Sequence, residues 1–535
     1  MISLRRKITV FVVISLFMGT AILISMNGSS IAAKNYVDAG TAAEVAEAKI
    51  FQLGKFADFS ICGESTVYDN GGALFHVLYL KPRGYVVVSA DFSLPPVIAY
   101  SFTSNFSVGK SALTDILRAD IALRMKNIHN LPYRVIEDRK LMWKGMLNGN
   151  AATANFEQWP PEGTTSTGGW LETKWSQNSP YNNFCPMDGS ERSVAGCPAV
   201  AMAQILNYHR TTNGVSFNDS DDYRHNYIHQ YVIDDDHEEY GFPSFPELNG
   251  YLDTLSSHYE NNIPITDNDK AAIVFACGVA AKQVYSSEVS GTFGVSQAYQ
   301  AYLRFGIDGI ELLNESNPDM YGRLRMNMVD ALPAHLAVVT SDWNSGHNLV
   351  VDGYNTDDYY HLNFGWDGSL DGWYLLPDDM PYGLTVIEGI IVDIMAEHSG
   401  SDIYCDGSLH WADIGAGSTI HTNFTVENVG EQNSTLDWEV AEYPEWGTWS
   451  FTPSQGGNLS PGDKDKVGVL VIVPDKKIRN FKGYVKIVNK DNSSDFFILP
   501  VSVATPMSTT HSVPIIQKIL QHLPILWKII QNIII

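Results

Sequence analysis

The stretch NGNAATANFEQWPPEGTTSTGG, residues 148–169, most constrains how this chain folds. It is poor in aliphatic side chains and rich in Asn, Thr, Gly and Pro, which favour turns and offer little to bury. Such a segment reads as a loop or linker, and exposed segments of this kind are where proteases cut. It divides a chain of 535 residues, which in any case exceeds what one hydrophobic core supports. An aromatic content of 11% argues against long disorder on either side of it.

Upstream, AAEVAEAKIFQL (42–53) has helical spacing, ALFHVLYL and GYVVVSADFSLPPVIAYS read as strands, and residues 111–130 are helical again. This predicts a small α+β unit over 34–150 with its own core, then a linker over 151–164. A second unit over 165–396 mixes a helix after Cys197, a helix near 268–284 and strands around His347. From 402 to 504, short alternating runs such as HTNFTVENV, KVGVLVIV and GYVKIVN predict a β-sandwich of immunoglobulin-like type. The expected fold class is α+β.

The two ends read as addressing or docking segments. Arg5, Arg6 and Lys7 precede an apolar run from Ile8 to about Ser25, with small residues at Ser30, Ala32 and Ala33. Residues 1–33 therefore read as an export signal, or as an uncleaved anchor given the length of the run. In the tail over 506–535 the polar residues beyond Pro514 fall near a helical period, leaving one face apolar. That face suits docking on protein or lying on a membrane surface. A secreted or cell-surface location follows. The net charge of −25 excludes nucleic acid as a partner, since phosphates need basic groups.

Five cysteines, Cys62, Cys185, Cys197, Cys277 and Cys405, show neither metal-ligand spacing nor a disulfide framework. Their odd number leaves at least one thiol unpaired in a monomer. Cys197 stands out because it follows a glycine and leads the apolar run of GCPAVAMAQILNYH. The N-terminus of a helix favours S⁻ over SH. His347, in GHNLVVDGYNTDDYYHLNFGWDG, is placed at a strand start and offers a base. Asn363, on the next strand of an apparent hairpin, can reach that ring, with Trp366 as a cover. Gln177, in KWSQNSPYN, can complete an oxyanion hole with the Cys197 backbone N–H. Taken singly, each has a structural reading: a small buried cysteine, a satisfied histidine, a turn-capping asparagine, a surface glutamine.

Weaker signals remain beside these. DGSLDG (367–372) lacks a full calcium ligand set and reads as a turn. His225, His229 and His237 read as a surface loop, not a metal site. Asn423, Asn433, Asn458 and Asn492 begin N-x-Ser/Thr sequons.

The strings KWSQNSPYNNFCP, GCPAVAMAQILNYH and GHNLVVDGYNTDDYYHLNFGWDGSLDGWYLL resemble the streptopain family of papain-like cysteine peptidases, over about residues 165–396. VFACGVAAKQVYSSEVSGTFG (274–294) resembles the family's segment between nucleophile and histidine, and GYVVVSADFSLPPVIAYS its pro-region. The resemblance implies a papain-like peptidase domain and a secreted cysteine endopeptidase made as a zymogen, acting on proteins or peptides. It implies that Cys197 is the nucleophile, that His347 is general base and then acid, that Asn363 orients His347, and that Gln177 binds the oxyanion. Trp366 matches a tryptophan of the family's motif, and neither metal nor organic cofactor is implied. Phe364 and Asp367 depart from the family, where tryptophan and glycine are expected. Two other readings of the same residues are a cell-wall amidase or transpeptidase, and a surface binding protein on a peptidase scaffold.

Overall fold

Helix α1 (Ala39–Gln52) begins where the Asp38 side chain accepts a hydrogen bond from the Thr41 N–H, three residues before the alanine pattern alone predicts. In this computed structural model the described residues are 35–505, apart from 107–111, 132, 149–155, 341–345, 378–385, 396–399, 412–413, 477–478 and 494. The expected signal over 1–33, the tail over 506–535 and the first residues of the linker lie outside them.

Strands β1 (Ser60–Asp69), β2 (Gly72–Lys81), β3 (Tyr85–Ser89) and β4 (Val97–Ser101) form an antiparallel meander. Strand β3 is buried on both faces. Val86 and Val88 pack with Val45 and Ile50 of α1, while Val87 packs with Ile116 and Ile121 of α2 (Ala112–Asn127). A further helix, α3 (Tyr133–Leu147), places Trp143 against Leu94, whose carbonyl accepts the indole N–H at 2.8 Å.

The rest of the chain supplies β5 (Gln158–Trp159), the short strands β6 (Met187–Asp188) and β7 (Glu191–Arg192), and helix α4 (Cys197–Tyr208). A small hairpin, β8 (Arg224–Asn226) with β9 (Gln230–Val232), precedes helices α5 (His237–Tyr240), α6 (Phe245–Glu260), α7 (Asp267–Ala280) and α8 (Val295–Arg304). Then come β10 (Glu311–Leu313), α9 (Met320–Val329), β11 (Ala334–Val339), β12 (Gly346–Asn355), β13 (Tyr359–Asn363), β14 (Gly372–Leu375) and β15 (Ile387–Val392). Helices α4, α6, α7 and α8 share one core with Ala337, Val350 and Ile391 of the sheet. The architecture is α+β, with a helical half packed on a sheet half.

Two expectations change here. The N-terminal unit does not keep a core to itself. Strand β4 pairs with β14 (Tyr100↔Trp373, Ala99↔Tyr374), making one sheet of 11 strands in the order β1-β2-β3-β4-β14-β13-β12-β11-β15-β10, with β5 on β12. Pairing satisfies the open edges of both meanders, and Val87 and Ile98 join Leu336, Val351 and Tyr360 in one apolar cluster. The second half of the expected linker is also structured. Trp159 pairs with Tyr354, stacks on its ring and is 9% exposed, so a single tryptophan anchors a segment with few other apolar groups.

A buried ion pair ties the two parts of the sheet. Lys49 of α1 reaches Asp357 at 3.0 Å, lies over the rings of Tyr100 and Tyr359, and is 2% exposed. Burial holds its ammonium below the usual lysine range, with Asp357 opposing that shift. Lys49→Ala strands the carboxylate, and the expected loss is about 3 kcal/mol. It should appear as a lower denaturation midpoint and faster limited proteolysis of the N-terminal segment.

Residues 402–505 form two sheets. One runs β16 (Ile403–Asp406), β18 (Thr419–Asn428), β22 (Lys464–Ile472), β20 (Thr448–Thr452). The other runs β17 (Leu409–Trp411), β24 (Phe496–Thr505), β23 (Arg479–Asn489), β19 (Leu436–Glu442), β21 (Gln455–Leu459), with β17 and β24 parallel. Phe424, Val469, Trp438 and Val503 share the core between them. Tyr484 donates to Glu157 at 2.8 Å and Phe496 lies against Trp159, joining these sheets to the rest. No helix among the described residues is long and apolar enough to cross a membrane.

Candidate active site

Helix α4 starts at a glycine for a steric reason. Gly196 has φ 84°, in the left-handed region, and a Cβ there would lie 2.4 Å from Gln283 Oε1. Its neighbour Ala195 is held by hydrogen bonds from its N–H to Gln177 O (2.9 Å) and from Gln283 Nε2 to its carbonyl (2.8 Å). Pro198 follows in the first turn, where a missing N–H costs nothing. Cys197 is thereby fixed as the first helical residue, half-buried, with its own N–H unused by the helix.

His347 arrives from the sheet half, buried at the start of β12. Its Nε2 donates to the Phe364 carbonyl at 2.8 Å, which leaves Nδ1 for the sulfur. Burial alone pushes the Cys197 thiol up. The positive charge and hydrogen bond of His347, with the Asn348 N–H at 3.4 Å, outweigh it, and the thiol lies below its ordinary range. Burial likewise pulls His347 down, but Cys197 and the Phe364 carbonyl carry it above the ordinary imidazole value. The two shifts favour a thiolate–imidazolium pair.

Cys197, His347, Gln177 and Trp366 line one cleft of about 490 Å³. The Trp366 ring stands edge-on to His347, 5.8 Å between centroids at 88°. Asn363 does not do what its spacing and the family resemblance predict. Its Oδ1 accepts from Gln204 Nε2 (3.1 Å) and Gly365 N (3.0 Å), and its Nδ2 donates to Thr173 O (2.9 Å). In register it sits opposite Val350, not His347. The group that fixes the imidazole is a backbone carbonyl one residue on, so Trp366 shields the ring itself and not a His–Asn bond.

Phe364 is in turn held by Asp371, whose Oδ1 accepts its N–H at 2.9 Å. DGSLDG is a turn, with Asp367, Gly368 and Leu370 all at positive φ, and it returns Asp371 to this position. Gln204, fully buried on α4, also accepts from Thr173 Oγ1 and Trp175 N, so it staples the Gln177 loop to the helix that carries Cys197. Its polarity inside an apolar run was the one available signal for that role. A backbone carbonyl leaves none.

The other candidates separate cleanly. Cys185 is buried and burial pushes its thiol up to about 12. Cys277 and Cys405 are buried and raised as well. His225 corrects the expectation of a surface loop: it is buried, accepts from Tyr285 N at 2.7 Å and stacks on Tyr231. His229 is exposed on Asp188. The sequon asparagines Asn423, Asn433, Asn458 and Asn492 are exposed.

A thiol at a helix start, facing a histidine from a sheet across one cleft, is an arrangement on which cysteine peptidases work. Residues 175–374 match the Peptidase C10 family and residues 24–119 match the Spi protease inhibitor. The chain is a streptopain-like cysteine peptidase with a pro-region. Among curated relatives, streptopain of Streptococcus pyogenes is 23% identical over 330 residues, 57% of this chain and 74% of the relative. The thiol protease/hemagglutinin PrtT of Porphyromonas gingivalis is 24% identical over 323 residues, 57% of this chain and 34% of the relative. Among solved structures, a Prevotella intermedia prointerpain A fragment aligns with TM-score 0.39 and 21% identity, covering 62% of this chain and 97% of that one. Active interpain A from the same organism aligns with TM-score 0.31 and 24% identity, covering 42% and 93%.

Proposed function

We propose that the chain is a secreted or cell-surface cysteine endopeptidase, made as a zymogen, in which Cys197 is the nucleophile and His347 the general base and then acid. The observation that carries this reading is that Cys197 and His347 line one cleft and each shifts the other toward its charged form, with the ring fixed by the Phe364 carbonyl. The thiolate attacks a peptide carbonyl, forming a tetrahedral intermediate whose oxyanion is held by the Cys197 N–H and the Gln177 amide. His347 passes its proton to the departing amine. Water, deprotonated by His347, then attacks the thioester and frees the thiol. Trp366 covers one edge of the imidazole and leaves the side that faces Cys197 open to the cleft.

In the same reading residues 1–33 are the export signal, 34–150 the pro-region, and 402–504 an immunoglobulin-like accessory domain. The tail over 506–535 associates with a membrane or cell surface. Cleavage near 150 separates the pro-region from a peptidase domain anchored at Trp159.

The test compares denatured protein and peptidoglycan fragments as substrates for the secreted chain, while an electrophilic peptide probe reports on Cys197. Hydrolysis of protein with probe on Cys197 is the expected result. Turnover confined to peptidoglycan would replace it with the amidase or transpeptidase reading, and an unlabelled Cys197 with a binding role. The pH dependence has a defined sign. The thiolate requires pH above the lowered thiol value, and the imidazolium requires pH below the raised His347 value. Activity should trace a bell between them. His347→Gln should slow alkylation of Cys197 near pH 6.5 by about 10-fold or more, since the thiol returns toward its ordinary range.

A further inference from the structure

Beside Cys197, three polar side chains form a chain that the mechanism above does not use. Tyr302 of α8 and His335 of β11 are both fully buried, and the Tyr302 hydroxyl lies 3.1 Å from His335 Nδ1. His335 Nε2 lies 2.8 Å from Asn348 Oδ1. Asn348 then faces Cys197 twice, with its backbone N–H 3.4 Å from Sγ and its Nδ2 at 4.0 Å, the long end for a sulfur acceptor.

The direction of each bond follows from chemistry. Burial pushes His335 down to about 4, so near neutral pH the ring carries a single N–H. If that N–H is on Nε2, it donates to Asn348 Oδ1, and Nδ1 accepts from Tyr302. The amide is then turned with its N–H₂ toward the sulfur. The reverse order would place Asn348 Oδ1 against Sγ, where it repels a thiolate. A hydroxyl that donates, a neutral imidazole that relays and an amide that donates all point the same way.

We infer that Asn348, held by His335 and Tyr302, is a positioning device that keeps an amide donor on the Cys197 thiolate and so holds the nucleophile ionised at neutral pH. This deepens the reading of Cys197 as nucleophile and rests on it. The other titratable groups that line the cleft with Cys197 are His347 of β12, Glu288 and Asp367. Of these, His347 favours ionisation of the thiol. Around His335 stand Tyr302 and His347, and Cys277 of α7 lies behind Tyr302. Neither Tyr302 nor Cys277 carries charge near neutral pH, since burial raises both. The amide is therefore the second donor on the sulfur, after the Asn348 backbone N–H, that does not depend on His347.

The test measures iodoacetamide alkylation of Cys197 against pH on the full chain, read by mass spectrometry of the Cys197 peptide. Asn348→Ala keeps the backbone N–H and removes only the amide. The alkylation inflection should move up by about one pH unit, a roughly 10-fold slower reaction on the acid side. His335→Leu should give the same shift by freeing the amide to turn. His335→Gln should return toward wild type, because its N–H₂ can donate to Asn348 while its carbonyl accepts from Tyr302. Tyr302→Phe, which changes no volume beyond one hydroxyl, should give a smaller shift in the same direction. Wild-type inflections in both Asn348→Ala and His335→Leu, with Cys197 still labelled below its ordinary thiol range, would overturn the inference alone. An ordinary free-thiol inflection in the wild-type chain would overturn the nucleophile reading and this inference with it.

Discussion

Cys197→Ala should lower kcat/KM on a denatured protein substrate by about 10³-fold or more, and should stop any self-cleavage in the 140–170 region. The size follows from what is lost: no other described thiol is placed to replace it. Cys185, Cys277 and Cys405 are buried with raised thiols. Cys62 lies exposed on β1, away from the cleft. What survives in the variant is substrate binding and the oxyanion donors, and these alone sustain only a small part of nucleophilic catalysis. The fold should be intact, since alanine fits the first turn of α4 and Gly196 and Pro198 are untouched. Initial rates and the N-terminal sequence of secreted protein measure the two losses, with Cys62→Ser as the control expected to behave as wild type. Undiminished hydrolysis by Cys197→Ala would remove the proposed mechanism.

Asp352→Ala should destabilise the folded chain by about 3–5 kcal/mol. Asp352 of β12 is wholly buried and pairs with His361 Nδ1 at 2.6 Å, while its other oxygen accepts the Leu171 N–H at 3.0 Å. Removing the carboxylate leaves an imidazole and a backbone donor without partners inside the sheet. The pH dependence follows from His361, which burial pulls down but the Asp352 charge and hydrogen bond carry above its ordinary value. A raised histidine contributes stability that is fully present below about pH 6.5, its ordinary value, and is lost as pH rises through the folded value. The gap between wild type and Asp352→Ala should thus be widest on the acid side of pH 6.5 and narrow above it. Urea midpoints at pH 5.5 and pH 8.5 read this out. Asp352→Asn, which keeps an acceptor for Leu171, should lose less. Asp371, pushed up to about 7 by burial, lies beside the pair and also holds the Phe364 N–H. The charge state of this cluster therefore reaches the carbonyl that fixes His347.

Much of the site was legible in the residues. A cysteine between Gly196 and Pro198 at the head of an apolar run has little choice but to start a helix, and the histidine follows a glycine at a strand start. The type and spacing of Asn363 suit a side-chain partner for His347, but the tertiary structure gives it other bonds. The bulge in the β12–β13 register between Val351 and Gly353, and the bonds to Gln204 and Thr173, turn it away. A main-chain oxygen took the role, and every residue carries one, so nothing in the string NFGWD marks Phe364 for it.

The boundaries show the same division. Residue composition and periodicity determined that a helix and strands precede residue 148, that a mixed unit follows, and that alternating strands close the described chain, because those patterns express local propensity and the spacing of apolar groups. Only the tertiary structure decided that the first unit continues the peptidase sheet through β4 and β14, that Lys49 is buried on Asp357, and that Trp159 anchors what reads as a linker. Edge pairing, ion pairing across 308 positions and the insertion of one aromatic ring are contacts between distant segments. Their energies depend on which surfaces meet, and no local window of sequence carries that information.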